Sequence, residues 1–134
     1  MSLTYTISWL ATNQVILIAL KDNVDVDAVS ALTDELHTML DASNRTSIYI
    51  IVDDRQTTGL PTLGEVNRLR SSLRHPKISW IISVGNNINP VVKFISAVAV
   101  RVANLPFKRV DNFEEAITSL NEIDPSIEWQ TLQH

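Results

Sequence analysis

Two adjacent carboxylates, Asp53 and Asp54, close a run of apolar residues from Ile48 to Val52, and Thr57-Thr58-Gly59 follows shortly after. Paired acids at a strand end can hold a divalent cation or act as a general base. Hydroxyls beside a glycine turn just ahead of a helix suit a different chemistry. A phosphate added there would bring roughly two negative charges up to the positive end of a helix dipole. The plainer readings are structural: Asp53 and Asp54 terminate strand pairing and bond backbone N–H groups or Arg55, and Thr57-Thr58-Gly59 is a turn.

The rest of the chemical inventory is sparse. His37, His75 and His134 are scattered over the chain, and their spacing suggests neither a metal site nor a triad, so they are read as surface residues. Arg68, Arg70, Arg74, His75 and Lys77 gather around one expected helix end, where positive charge complements the dipole, and are read as a solvated face. With Gly59, Gly64 and Gly85 as the only glycines, neither a dinucleotide fingerprint nor a phosphate-binding P-loop can be written. Cysteine is absent, which removes thiol nucleophiles, thiolate metal ligands and disulfides together. No catalytic residue, cofactor or metal is therefore expected, and the leading expectation is a non-enzymatic regulatory or interaction module. A carrier of a small apolar ligand or lipid is the alternative, and an enzyme using Asp53 or Asp54 as a base ranks below it.

These residues must be positioned by a chain of 134 residues with 45% hydrophobic and 19% charged content. That is the length and composition of one globular domain, with residues 126–134 as a tail. A net charge of −4 argues against general affinity for nucleic acid or anionic lipid. The first residues lack a basic segment followed by an apolar one, so no signal peptide is expected and the cytoplasm is the expected compartment.

Leu3, Tyr5, Ile7 and Trp9 alternate with Thr4, Thr6 and Ser8, predicting an edge strand with one wet face. Thr12-Asn13 turns the chain, and Val15 to Leu20 pairs back as a hairpin. Asp25 or Asp27 can cap a helix carrying Val29, Leu32, Leu36, Met39 and Leu40 on one stripe, ended by Ser43-Asn44. The Ile48 to Asp53 run, apolar throughout, predicts a central strand buried on both faces. Thr62 with Glu65 opens a second helix that Pro76 ends, and Ile78 to Val84 is the next buried strand. Asn89-Pro90 starts a third helix reaching about Asn104. Phe107 to Val110 is a short last strand, and Asp111 with Glu114 caps a final helix stopped by Asp124-Pro125. A hairpin followed by alternating units implies an α/β fold with a mixed, mostly parallel sheet flanked by helices.

The segment from Val91 to Ala103 is apolar around most of its circumference, too short and too charged at Lys93 and Arg101 to span a membrane. Ile95, Val98, Val102 and Leu105 can face the sheet, which leaves Phe94, Ala97 and Val100 to find another partner. A two-fold homodimer is expected to cover them, with a fold-back of the tail through Ile127 and Trp129 as the alternative.

The order of elements, and the helix entered through Thr57-Thr58-Gly59-Leu60, resemble the STAS superfamily and its SpoIIAA-like branch. Gln56-Thr57-Thr58-Gly59-Leu60 is similar to the Asp-Ser-Ser-Gly-Leu loop of bacterial anti-sigma factor antagonists, with Gln56 in place of the acid. In that loop the first serine is a phosphorylation switch, a role the resemblance places on Thr57. Phe107 to Ile117 is similar to the branch's closing strand and helix. What the resemblance implies is a regulatory module with a protein partner, and its likeness to lipid-binding domains supports the apolar-ligand alternative. A receiver-domain reading of Asp53-Asp54 fails on chemistry, because the next buried strand ends in Gly85-Asn86-Asn87 and offers no acyl-phosphate acceptor.

Overall fold

The computed structural model describes residues 5–22, 26–57, 74–85 and 105–129. Within them the chain forms β1 (Tyr5–Ala11), β2 (Val15–Asp22), α1 (Val26–Ala42), β3 (Ile48–Thr57), β4 (Ile78–Val84), β5 (Phe107–Val110) and α2 (Phe113–Ile123). The strands make one sheet in the order β1-β2-β3-β4-β5, antiparallel between β1 and β2 and parallel from β2 to β5. This is the α/β mixed sheet expected from the sequence, with β1 at an edge and β3 in the centre.

The β1–β2 hairpin turns at Asn13, whose φ of 62° lies in the left-handed region that asparagine tolerates better than most residues. The Gln14 N–H then closes the turn on the Ala11 carbonyl. β3 is buried on both faces, as its unbroken apolar run requires. Ile48, Ile50 and Val52 join Leu32, Leu36 and Leu40 of α1 in one core layer. Tyr49 and Ile51 join Ala116 and Leu120 of α2 in the other. α1 and α2 thus cover opposite faces. Ile16, Ile50, Ile51, Ile81 and Ile82 are essentially without solvent contact, each stabilising the fold by roughly 1.5–3 kcal/mol. A register shift at Ser79, between the Ile48–Ile78 and Tyr49–Trp80 pairs, lets Ile78 and Ile81 share the α1 face.

α1 buries Val29, Leu32, Leu36 and Leu40, with Met39 partly covered, which is the stripe expected. It starts at Val26, so Asp27 lies inside its first turn, favourable to the dipole, rather than capping it. Its last turn carries no basic residue. Lys77 supplies the charge from outside: its ammonium donates to the carbonyls of Leu40 (2.8 Å) and Ser43 (2.7 Å). Lys77 is therefore not part of a solvated face, while Arg74 is exposed and Arg68 and Arg70 lie outside the described residues.

His37 and His75 also depart from the surface reading, and His134 lies outside the described residues. The side chain of His75 is only 10% exposed, its Nε2 lies 2.8 Å from Asp41 Oδ1, and its ring centroid is 5.2 Å from that of His37. The Lys77 N–H donates to His75 Nδ1, which leaves Nε2 to carry the proton given to Asp41. Residues 37 and 75 are far apart in sequence, and only the parallel pairing of β3 with β4 brings the end of α1 to the start of β4.

The N-cap of α2 is one residue later than expected. Asn112 Oδ1 accepts the Glu115 N–H at 2.9 Å, and the Glu115 carboxylate accepts the Asp111 N–H at 3.0 Å. Asn112 is extended and already precedes the first helical turn, so its side chain reaches the orphan N–H three residues on.

The tail, which has no period in the sequence, is held by side chains. Ile127 and Trp129 pack on the α2 face of the sheet. Gln14 treats the tail as a strand partner, its Oε1 accepting the Glu128 N–H (2.8 Å) and its Nε2 donating to the Ser126 carbonyl (3.4 Å). Trp129 Nε1 donates to Asn121 at 2.7 Å. The tail thus packs on the α2 face of the sheet. Phe94, Ala97 and Val100, with the dimer face assigned to them, lie outside the described residues.

Candidate functional site at the carboxyl ends of the strands

In an open sheet of parallel strands the loops that carry function gather at the carboxyl ends. Here that edge is formed by the ends of β3, β4 and β5. The acidic pair does not end β3. Pairing with β4 stops at Asp53–Val84, yet pairing with β2 continues through Lys21–Gln56 to Asp22–Thr57 across a bulge after Ala19. Backbone ladders need no apolar side chains, and β2 itself runs on to Asp22, so a polar extension of β3 still finds a partner. The expectation that Asp53 and Asp54 terminate pairing is thereby corrected on the β2 side and holds on the β4 side.

Thr57 is the last paired residue of β3, where the chain leaves the sheet. Thr58 and Gly59 lie outside the described residues. Asp53 is half-buried and engaged by other groups of the chain, alternating with Val52 and so turned toward the α2 face. Asp54 follows it in β3. His37 on α1 and His75 just before β4 lie together at the other end of the strands. Among the described residues no group of three or more histidines and acids could hold a metal ion.

The sequence reading missed Ser83 and Arg109. They are cross-strand neighbours of β4 and β5, and the Arg109 guanidinium donates to the Ser83 hydroxyl. Ser83 is wholly buried, level with Val52 of β3 on the α1 side. A serine inside an apolar strand and an arginine inside the last one were the available signals, because a polar group buried in a parallel sheet needs a partner. Beyond them Gly85, at φ 155°, ends β4 with its N–H on the Val110 carbonyl at 2.8 Å, a backbone setting that favours glycine. At the opposite ends of the strands Tyr49 donates to Asp124 (2.9 Å), and burial raises the Tyr49 hydroxyl pKa above its ordinary value with that bond adding to the rise. The Ser126 hydroxyl holds the Asp124 carboxyl below its usual range.

No known sequence family and no curated protein matches the chain. Its shape does have matches. It is a mixed five-stranded sheet opened by an antiparallel hairpin, with helices on both faces. The chain has a SpoIIAA-like fold, shared with a DUF3478-family protein of uncharacterised function from Shewanella loihica PV-4, at a TM-score of 0.65 and 15% identity over 87% of this chain and 91% of that one. The unphosphorylated anti-sigma factor antagonist SpoIIAA matches at a TM-score of 0.57 and 16% identity, over 92% of this chain and 99% of its own. The phosphorylated form of the Bacillus cell fate determinant SpoIIAA matches at 0.57 and 18%, over 87% and 98%. At these identities the likeness is one of fold. No helix among the described residues is long and apolar enough to cross a membrane.

Proposed function

We propose that the chain is a non-enzymatic regulatory module that binds a protein partner at the carboxyl end of β3, with Thr57 as the phosphate acceptor of a switch loop that continues through Thr58 and Gly59. The observation that carries the reading is the position of Thr57 as the last paired residue of the central strand, in a fold it shares with a protein solved in phosphorylated and unphosphorylated forms. Phosphate there would add a charge of about −2 beside the exit of β3, changing what can dock on that edge.

Phosphopeptide mapping of protein isolated from its own cells tests the switch, together with partner capture on the wild type and on Thr57→Ala and Thr57→Glu. A phosphate on Thr57 and a partner whose retention differs between the two variants are the expected results. Unmodified Thr57 and Thr58 under several growth conditions, with identical partners on both variants, would overturn the switch. Native mass spectrometry showing a co-purifying apolar ligand would favour the carrier reading instead.

A further inference from the structure

The two edges of the sheet are built differently. β5 has four residues and carries Lys108 and Arg109. Short length and positive charge are devices by which proteins keep an open strand edge from pairing with another chain. β1 has seven residues, Tyr-Thr-Ile-Ser-Trp-Leu-Ala, with no charge and no proline. Its one irregularity is the register shift between Trp9 and Ala11, which leaves Tyr5 to Trp9 regularly paired to β2 on the inner side. On the outer side no described strand pairs with it. Ile7 and Trp9 are only half-buried against the α1-side core, while Thr6 and Ser8 are exposed.

We infer that the outer edge of β1 is the docking surface for a second copy of this chain, paired antiparallel about a two-fold axis midway between Ile7 and Ile7 of the partner subunit, so that two sheets become one. A two-fold axis perpendicular to the sheet sets each residue opposite the one equally far on the other side of its centre and keeps each side chain on its own face. Centred on Ile7, it sets Ile7 against Ile7 of the partner subunit, Tyr5 against Trp9 of the partner subunit, and Thr6 against Ser8 of the partner subunit. Aliphatic thus meets aliphatic, aromatic meets aromatic, and hydroxyl meets hydroxyl, which are the favourable cross-strand pairs. Moving the axis to Ser8 sets Thr6 against Leu10 of the partner subunit and loses this match. A strand without charge also meets its own copy without like-charge repulsion, although each chain carries a net −4. This surface is separate from the carboxyl ends of β3 to β5, so a dimer leaves the Thr57 edge free.

The chain has no cysteine, so introduced thiols report without interference. Light scattering across a concentration series, with circular dichroism as the check on folding, is measured on the wild type, on Thr6→Lys/Ser8→Lys and on Phe94→Glu. Thr6 and Ser8 are exposed, so the double variant keeps the fold and places ammonium groups opposite one another. The expected result is a wild-type mass near twice 15.0 kDa, self-association weakened about tenfold or more by the double lysine variant, and no change with Phe94→Glu. Separately, Thr6→Cys/Ser8→Cys is expected to give a covalent dimer under mild oxidation, with Ser126→Cys giving no covalent crosslink. A wild type that stays monomeric at every concentration overturns the inference. So does a dimer that survives the double lysine variant, or one lost with Phe94→Glu, because either places the contact on another surface.

Discussion

Replacing Lys77 with methionine keeps the aliphatic stem and removes the charge that closes α1. The Lys77 ammonium bonds two terminal carbonyls, of Leu40 and Ser43, at 2.8 and 2.7 Å. A hydrogen bond from a charged donor contributes ~1.5–3 kcal/mol when buried, and the helix dipole adds ~0.3–1 kcal/mol. Lys77 is half-buried, and water can reach the carbonyls once the ammonium is gone, so the two bonds do not count in full. The expected loss is about 2 kcal/mol, which for a domain of this size lowers Tm by roughly 6–10 °C. Urea unfolding followed by far-ultraviolet circular dichroism measures it, with an unchanged slope showing that the native and unfolded ensembles are otherwise the same. Arg74→Met, exposed and three residues away, is the control and should stay within about 0.5 kcal/mol of wild type. A Lys77→Met change no larger than this control would refute the reasoning and return Lys77 to the solvated face.

Gln14→Ala removes both bonds to the tail and should cost ~1–2 kcal/mol, while iodide quenching of Trp129, in a Trp9→Phe/Trp80→Phe background, increases as the tail loosens. Tyr5 and Tyr49 both have hydroxyl pKa values raised above 10.0, chiefly by burial, so the folded state holds their protons more tightly than the unfolded state. The stability they contribute is complete below pH 10 and is lost as pH rises through the folded values, and Tyr49→Phe should reduce this alkaline loss in unfolding curves and in tyrosinate absorbance. Asp41 and Asp124 are depressed, by the His75 and Ser126 hydrogen bonds first, so their contribution is present above pH 3.8 and lost as pH falls through the lower folded values. Asp124→Asn should flatten that acid limb, and an unchanged limb would remove Asp124 from the account.

The sequence by itself determined the order of the described strands and helices and the apolar faces they bury. Period-two alternation from Tyr5 to Trp9 gave a strand with one wet face, and the unbroken apolar run from Ile48 to Val52 gave a strand covered on both sides. These patterns are local, because side-chain direction repeats every two residues in a strand and every 3.6 in a helix. The likeness of fold to SpoIIAA was legible for the same reason, in the order of the described elements. Tertiary structure decided what joins distant residues. Whether Asp53 and Asp54 end β3 depends on how far β2 extends beside it, which no property of residues 48–57 contains. Lys77 finds the end of α1, His75 finds Asp41 and His37, Arg109 finds Ser83, and Gln14 finds residues 126–128, each pairing set by strand register and not by spacing. A sequence shows that a polar group lies in an apolar stretch; only the fold shows which partner offsets its desolvation.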